Sequence, residues 1–319
     1  MVKQLSEGGN RLVSTGGPQG ISHNSHNSPT APGFSLQGQT GSRAGTLQRV
    51  TPVLQVSALR KPPVRAKAIY CVDRGCNKVM LAENVTEPLP IASLTKLLTA
   101  MVVIDEMKLE QTIEIPPDVK EIPRHRVGLR PGDLVTVRDL LHGMLMESGN
   151  DCAEVLARAY PKGGMPRFVD ALNRKAAELG AKDALFLTPS GLDFSMTLGR
   201  KDGRSLDVKQ PNVASALDVA KIAETAFSYP LIREISSKKT HVIRTVNPIP
   251  REYHLASNNK LLHGSLPVAG AKTGYTDKAG RCIVALFKDN KAEHMIVVLN
   301  TPKHFKAAEK LYHWARQQM

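Results

Sequence analysis

The sequence predicts an α+β fold in which helices flank an antiparallel β-sheet and one portion of the chain is all-helical. Strand-like apolar runs open the ordered chain near Lys67, helix-like segments fill its middle, and strand-like runs followed by one helix close it. This order of elements favours a sheet with helices packed on it. Hydrophobic residues make up 41% and charged residues 23% of the 319 residues, as in an ordinary globular protein.

The N-terminal part of the chain has a different composition. Residues 1–62 are rich in Gly, Ser, Asn, Gln and Thr and contain few large apolar residues. Such a segment cannot bury enough apolar surface to offset its ordering entropy. We therefore expect a disordered low-complexity segment over 1–62 and a folded domain over 63–319. The first 30 residues lack an apolar core of signal-peptide type, and no run is long enough to span a membrane.

The ordered chain opens with a predicted β-hairpin. Residues 68–72 and 78–81 are short apolar runs on either side of the turn signal at 73–75. The next long element is SLTKLLTAMVVIDEMK, residues 93–108, which is apolar almost all round. This pattern predicts a helix buried at the centre of the domain.

Helices are also predicted through the middle of the chain. Two of them begin at pairs that resemble capping boxes, Thr136 with Asp139 and Ser215 with Asp218. The predicted helices cover about 136–146, 153–160, 166–179 and 215–227. We expect a helical subdomain at about 112–235.

The last third of the chain alternates strand-like runs and ends in one helix. The runs lie at about 240–245, 266–275, 282–287 and 294–299, and the helix at about 303–317. One of these strands runs into GAKTGYTDKAGRC, residues 270–282, whose lysine and glycines do not suit a buried strand. Glycine in a strand is often kept where another backbone or a ligand must come close. This strand is therefore a candidate binding site.

Ser93 and Lys96 place a hydroxyl and an amine on one face of a predicted helix. A buried lysine can take the serine proton if it is neutral, and burial or a second nearby cation disfavours its charge. The alternative is an ordinary lysine at a helix N-terminus, and the same spacing recurs at Ser236–Lys239 and Ser257–Lys260. Ser93 differs because it opens an apolar helix, where free N–H groups and the helix dipole favour an oxyanion.

Two further short motifs accompany this pair. Ser148-Gly149-Asn150 lies between two predicted helices, where the serine could relay a proton and the amide could hold the lysine or a substrate amide. Triplets of the same form also begin at Ser22, Ser25 and Ser257. Lys272-Thr273-Gly274, in contrast, occurs once.

In this order, S-x-x-K, S-x-N and K-T-G resemble the motifs of the penicillin-recognising serine enzymes. Residues 67–319 are similar to the low-molecular-mass penicillin-binding proteins, which are serine D-Ala-D-Ala peptidases of bacterial cell-wall metabolism. The resemblance extends to the blocks PIASLTKLLTAMVV, LMESGNDCAEVLA, FLTPSGLD, YPLIREISS and NNKLL. It implies a β-lactamase/DD-peptidase-like α/β sandwich, with a helical subdomain that carries the S-x-N loop.

The resemblance also implies the site residues. Ser93 would be the acylated nucleophile, Lys96 the general base and Ser148 a proton relay. A substrate peptide would pair with the glycine-rich strand through its main chain, and two backbone N–H groups would form the oxyanion hole. The donors would be those of Ser93 and Tyr275. The substrate-binding set implied in this way is Asn150, Lys272, Thr273, Gly274 and Tyr275.

Within that set, Lys272 would supply positive potential and Thr273 a hydroxyl for a substrate carboxylate.

Two activities compete within this family. Carboxypeptidases trim the terminal D-alanine from stem pentapeptides, and endopeptidases cut the D-Ala–diaminopimelate cross-link. The stretches RVGLRPG, YPKGG and HFKAAEKLYHWARQQ resemble the periplasmic endopeptidase branch. The chain also ends one helix after its last strand, without the C-terminal β-domain common among the carboxypeptidases. We therefore expect a DD-endopeptidase, with a D-alanyl-D-alanine carboxypeptidase as the alternative.

Other classes of function have less support. A β-lactamase needs a carboxylate that activates water, and the nearest element to the usual one, 170–173, has the pattern of an amphipathic helix. We therefore expect β-lactams to be slowly released covalent inhibitors. A cell-wall-binding protein with a degenerate site would not keep all the polar groups present here. A nucleic-acid-binding module is not expected, because no aromatic-interleaved basic patch accompanies the net charge of +14.

No cofactor and no metal site are predicted. The four cysteines, Cys71, Cys76, Cys152 and Cys282, lack metal-ligand spacing and are expected to be buried free thiols, although a Cys71–Cys76 bridge is conceivable. The expected partners are peptidoglycan stem peptides, and the positive charge fits an anionic wall polymer. A periplasmic or extracytoplasmic location follows from this substrate.

Overall fold

The structure is a computed structural model that describes residues 61–201 and 204–319. Residues 1–60 of the segment predicted to be disordered lie outside this range, and the predicted domain boundaries stay predictions. The helices are α1 (Lys96–Glu106), α2 (Val137–Met146), α3 (Asn150–Arg158), α4 (Gly164–Glu178), α5 (Ala216–Ala226), α6 (Pro230–Ser237) and α7 (His304–Gln317). None of the described helices is long and apolar enough to cross a bilayer.

The strands fall into one five-stranded sheet and four two-stranded pairs. The large sheet contains β1 (Ala68–Asp73), β2 (Lys78–Glu83), β11 (Val268–Thr276), β12 (Gly280–Lys288) and β13 (Glu293–Thr301). The pairs contain β3 (Leu89–Pro90) with β8 (Val213–Ala214), β4 (Thr112–Glu114) with β5 (Leu134–Thr136), β6 (Phe194–Lys201) with β7 (Arg204–Gln210), and β9 (Thr240–Arg244) with β10 (Glu252–Ala256).

The large sheet is antiparallel throughout, in the order β11-β12-β13-β1-β2. The first strand of the domain pairs with the last, so that Ala68 lies opposite Leu299. β11 pairs only with β12 in the described sheet, and it therefore forms an edge strand. The predicted antiparallel sheet flanked by helices is confirmed.

Alternation along the strands gives the sheet two apolar faces. Ile283, Ala285 and Phe287 of β12 pack into the core that α7 covers. Their neighbours Val284 and Leu286 pack into a larger core shared with the other helices. Because successive strand residues point to opposite faces, a run that is apolar at every position is buried on both sides. This double burial explains the continuous apolar sequence of the central strands.

Several elements of the described chain differ from those predicted. The first turn of the predicted helix at 93–108 is a 3₁₀ turn over Ala92–Thr95, and α1 begins only at Lys96. α6, β10 and the β6–β7 hairpin were not predicted. α6 is short. The hairpin FSMTLGRK…RSLDVKQ does alternate apolar and polar residues, as at Phe194, Met196 and Leu198, so its period-two signal was present and was missed.

Candidate active site

Ser93 and Lys96 lie together at the start of α1. Lys96 Nζ is 2.8 Å from Ser93 Oγ, and Lys96 is fully buried. The 3₁₀ turn brings them together, because residues three apart nearly eclipse one another in such a turn. Ala92 enters this turn with a φ of 48°, a left-handed conformation that is unfavourable for alanine. The hydroxyl and the amine predicted to cooperate are therefore in direct contact.

Lys96 has two further hydrogen-bond partners. Its Nζ lies 2.8 Å from Asn150 Oδ1 and 2.6 Å from the carbonyl oxygen of Ser190. Burial lowers the pKa of Lys96 to about 7, although the carboxylate of Glu154 opposes the shift. At neutral pH a substantial fraction of Lys96 is consequently uncharged and carries a free lone pair.

The S-x-N motif forms the turn between α2 and α3. Ser148 has a φ of 62°, and Asn150 is the first residue of α3. The Asn150 amide accepts from Lys96 through Oδ1 and donates through Nδ2 to the Pro123 carbonyl at 3.1 Å. These two contacts fix the orientation of the amide. The loop therefore delivers its asparagine to Lys96.

Ser148 contacts the other lysine of the predicted site. Lys272 Nζ donates to Ser148 Oγ at 2.8 Å and to the Thr273 carbonyl at 2.9 Å. Lys272 is nearly fully buried, and burial, followed by the charge on Lys96, lowers its pKa well below the usual range. The three motifs thus converge as two coupled pairs, Ser93 with Lys96 and Ser148 with Lys272.

The glycines of β11 are explained by internal packing. A Cβ added at Gly274 would lie 2.8 Å from the Ile91 carbonyl oxygen and 3.0 Å from Ser93 N. A Cβ at Gly270 would lie 2.8 Å from the Phe227 ring. Of the two alternatives, a backbone or a ligand, another backbone accounts for Gly274. Its lack of a side chain brings β11 against the segment that carries Ser93.

A cleft of about 300 Å³ opens beside this strand. Ser93, Ser148, Thr273, Gly274 and Tyr275 line it, so five of the eight predicted site residues share one solvent-accessible space. The sequence did not identify the other lining residues, which are His125, Asn258, Lys260, Arg281, His304 and Phe305. The oxyanion hole of Ser93 and Tyr275 N–H groups stays a prediction.

Comparison with known proteins gives the family. A family model described as D-alanyl-D-alanine carboxypeptidase matches residues 55–303. The chain belongs to this peptidase family. The resemblance derived from the three motifs is therefore confirmed.

Curated relatives of this peptidase carry both activities in their names. It is 29% identical over 275 residues to a D-alanyl-D-alanine endopeptidase of Escherichia coli, which covers 84% of this chain and 82% of the relative. It is 31% identical over 248 residues to a D-alanyl-D-alanine endopeptidase of Pseudomonas aeruginosa, covering 76% and 74%. It is 27% identical over 249 residues to the D-alanyl-D-alanine carboxypeptidase DacF of Bacillus subtilis, covering 76% and 59%.

Solved structures agree with the fold. A D-alanyl-D-alanine carboxypeptidase from Mycobacterium tuberculosis superposes with a TM-score of 0.71 at 27% identity, over 83% of this peptidase and 96% of that chain. The Streptomyces K15 DD-transpeptidase superposes with a TM-score of 0.72 at 23% identity, over 81% and 100%. At 23% identity, the likeness to the transpeptidase shows the fold alone.

Sequence reasoning missed two residues of the peptidase that lie close to Lys96. The Ser190 carbonyl accepts from Lys96, and the Ser190 hydroxyl donates to Glu154 Oε1 at 2.9 Å. The position of Glu154 was predictable in part from its spacing. It follows Asn150 by four residues on α3, and residues so spaced share a helix face. Ser190 lies within the block FLTPSGLD, but the block does not single it out, because its contact with Lys96 is made by a main-chain carbonyl.

One cluster of possible metal ligands occurs in the described chain. Asp139, His142 and His241 each offer a ligand atom within 4.8 Å of the others. The two imidazole rings stack at 3.7 Å and are nearly parallel at 13°. An ion at bonding distance cannot lie in the planes of two stacked rings, so this arrangement is not that of a shared metal centre. His241 instead pairs with Asp139 at 2.9 Å.

The cysteines of the peptidase are all free. Cys71, Cys152 and Cys282 are buried, as predicted, and burial raises the pKa of each of these thiols. Cys76 is exposed, so the prediction of a buried thiol is wrong for this residue, which lies in the turn between β1 and β2. The conceivable Cys71–Cys76 bridge is absent from the structure.

Proposed function

We propose that this protein is a serine-type D-Ala-D-Ala peptidase that acts on peptidoglycan stem peptides through an ester on Ser93, with cross-link cleavage as its preferred reaction. The observation that carries this proposal is the 2.8 Å contact between Ser93 Oγ and the buried amine of Lys96. A nucleophile with an adjacent base of depressed pKa is the arrangement that activates a serine.

In the first step, the neutral form of Lys96 accepts the proton of Ser93. In the charged form Lys96 donates to Ser93 Oγ, Asn150 Oδ1 and the Ser190 carbonyl. A neutral amine has two hydrogens and one lone pair. When its hydrogens serve Asn150 and Ser190, its lone pair faces the Ser93 hydroxyl. Ser93 Oγ then attacks the carbonyl carbon of the substrate D-alanine, and a tetrahedral oxyanion forms.

In the second step, the C–N bond of the intermediate breaks. The leaving amine takes the proton that Lys96 received from Ser93, directly or relayed through the hydroxyl of Ser148, which lines the cleft. Lys96 is then neutral again, and an ester on Ser93 remains. Water attacks this ester while Lys96 takes a proton from the water, and Lys96 returns that proton to Ser93 Oγ as the carboxylate is released.

Substrate binding is assigned to the free edge of β11. An extended peptide can pair with an edge strand through main-chain hydrogen bonds, and Thr273 and Tyr275 face the same cleft as Ser93. Asn150 orients the Lys96 amine in the free protein and is available to a substrate amide. A carboxylate on the leaving side would meet Thr273 and Lys272.

The preference for cross-links rests on the blocks RVGLRPG, YPKGG and HFKAAEKLYHWARQQ, together with two endopeptidase relatives at 29% and 31% identity. Trimming of terminal D-alanine is the second candidate, favoured by the name of the matching family and by relatives such as DacF. Both reactions use the same proposed ester.

Intact-mass analysis after incubation with labelled penicillin tests the nucleophile. We expect one adduct, mapped to the peptide that contains Ser93, and no adduct on Ser93→Ala. Ser236→Ala is the matched control, because Ser236 has the same S-x-x-K spacing but bonds to the Ile232 carbonyl. Adduct formation on Ser93→Ala would remove the proposed nucleophile.

Incubation with a cross-linked muropeptide dimer and, separately, with a monomeric pentapeptide tests the preferred reaction. We expect faster cleavage of the dimer. Cleavage of the pentapeptide alone would make the protein a carboxypeptidase.

The stability of the penicillin adduct separates a peptidase from a β-lactamase. Asn173 bonds to the Phe186 backbone, and Asp170 is exposed and pairs with Arg167, so both have structural partners on α4. We therefore expect the adduct to persist, and rapid hydrolysis with no lasting adduct would favour a β-lactamase. The substrate places the proposed activity outside the cytoplasmic membrane, and fractionation of the host tests this location.

A further inference from the structure

Glu154, a carboxylate outside the three motifs, is linked to the Lys96 amine through one intervening residue, Ser190. Glu154 follows Asn150 by four residues, so α3 presents both side chains on one face. Asn150 contacts Lys96 directly, whereas Glu154 accepts a hydrogen bond from Ser190 Oγ at 2.9 Å. The helix α3 thus contacts Lys96 directly through Asn150 and indirectly through Glu154 and Ser190.

Ser190 joins the carboxylate to the lysine. It is fully buried, and its carbonyl accepts from Lys96 Nζ at 2.6 Å, the shortest of the three contacts of that amine. Its hydroxyl donates to Glu154 and accepts from Leu192 N at 3.3 Å. The orientation of the Ser190 carbonyl therefore depends on the contact that holds the Ser190 side chain.

The turn after Ser190 also presses on the chain that carries Ser93. Gly191 has a φ of +79°, and a Cβ there would lie 2.0 Å from the Ala92 carbonyl oxygen and 2.9 Å from Ser93 N. Any side chain at position 191 would therefore clash with the backbone of Ala92 and Ser93, so the turn packs directly against that segment. A shift of this turn would consequently move both the partner of Lys96 and the backbone of Ser93.

We propose that Glu154 is a positioning residue for acylation, because it holds Ser190 so that the Ser190 carbonyl fixes the Lys96 amine beside Ser93. The inference rests on the proposed roles of Ser93 and Lys96. Glu154 lines a different cleft from Ser93, together with Glu121 and Arg158, so it acts through Ser190 rather than on the substrate.

The charge of Glu154 gives this residue a second, separable effect. Burial lowers the pKa of Lys96, and Glu154 opposes this shift most, followed by Cys152 and Asp151. Lys272 is the nearby basic group.

Burial also raises the pKa of Glu154, and its hydrogen bond with Ser190 and the charges of Arg158 and Lys96 act against that rise. An ionised carboxylate favours the ammonium form of a nearby lysine. Removing the charge while keeping the shape should therefore move the loss of acylation to lower pH, because Lys96 would then stay neutral in more acidic solution.

The experiment measures the acylation rate with labelled penicillin from pH 5 to pH 9 on the full-length protein. Glu154→Gln keeps an oxygen for Ser190 and removes the charge, so the acidic fall-off should move down by about 0.5 to 1 pH unit. Ser190→Ala keeps the charge and breaks the link, so the maximal rate should fall about tenfold with little change in the fall-off.

Two further variants complete the design. Glu154→Asp retains the charge and should restore the fall-off of the unmodified protein. Glu121→Gln removes a carboxylate from the same cleft without a bond to Ser190 and should match the unmodified profile.

Each arm can overturn a separate statement. A Glu154→Gln profile that superimposes on the unmodified one would overturn the charge effect, and an unchanged maximal rate in Ser190→Ala would overturn the positioning role. If the unmodified protein forms no adduct on Ser93, the proposed function itself fails.

Discussion

Lys96 and Lys272 are both buried lysines of one site, yet their surroundings differ. Lys96 has a hydroxyl, an amide oxygen and a carbonyl as partners, and a carboxylate lies near it. Lys272 has only the Ser148 hydroxyl and the Thr273 carbonyl. Neither lysine has a carboxylate in ion-pair contact among the residues that the structure describes. Burial lowers the pKa of both, to about 7 for Lys96 and well below the usual range for Lys272.

The difference in their surroundings indicates how two lysine side chains of one site can have different functions. The nearby carboxylate keeps Lys96 close to half protonated at neutral pH, which suits a group that takes and returns a proton. No carboxylate of the described chain opposes the pKa shift of Lys272, and its burial disfavours the charged form. An anion such as a substrate carboxylate would favour that form, so the positive potential predicted for Lys272 depends on the ligand.

The largest expected effect is on Lys96. Replacing it with Ala should slow acylation by labelled penicillin about 10²- to 10⁴-fold, because the general base is lost. Lys96→Arg is the control, since arginine keeps the positive charge but does not release a proton at these pH values. It should be as slow as Lys96→Ala, and a rate within tenfold of the unmodified protein in either variant would contradict the assignment of the base.

The next effect distinguishes the second lysine. Lys272→Met should reduce kcat/KM for a peptide with a free carboxylate about 10- to 100-fold, because one charge-assisted hydrogen bond is lost. A substrate amidated at that carboxylate should lose far less. Equal losses on both substrates would show that Lys272 does not serve the carboxylate.

The pH dependence sharpens the comparison further. The pKa of Lys96 is lowered to about 7, and the base acts only when neutral. The acylation rate should therefore rise about tenfold per unit below pH 7 and level off above about pH 8. A rate that stays constant between pH 5.5 and pH 8.5 would contradict the role of Lys96.

The smallest expected effect is on stability. A lysine in the unfolded chain keeps its proton to about pH 10.4. Because folding lowers the pKa of Lys272, the unfolded state binds more protons below that pH, and stability rises as the pH increases toward it. Lys272→Met should therefore stabilise the protein at pH 7 by about 1 kcal/mol, since a buried amine with no carboxylate partner is removed.

Urea unfolding of Lys272→Met at pH 7 and pH 10 measures this effect. The gain should shrink at the higher pH, because the lysine of the unfolded chain also begins to lose its proton at about pH 10. A destabilised variant would mean that the contacts of Lys272 with Ser148 and Thr273 outweigh the cost of its burial.

Local patterns predicted much of the fold. The caps at Thr136 and Ser215 were predicted from single residue pairs, and both side chains accept the expected backbone N–H. The central strands were recognisable because burial on both faces makes them apolar throughout. The β6–β7 hairpin was missed although Phe194, Met196 and Leu198 alternate with polar residues in its first strand. α6 was missed because eight residues hold too little periodicity.

The sequence by itself determined the family, the order of the motifs and the contact of Ser93 with Lys96, because residues three apart are neighbours in one helical turn. Only the tertiary structure decided that Ser148 binds Lys272, and that a main-chain carbonyl and Glu154 complete the surroundings of Lys96. These contacts join residues 36 to 124 positions apart. Burial and long-range packing determine the hydrogen-bond partners and the pKa of each lysine. Neither the partners nor the pKa can be predicted from a short stretch of sequence.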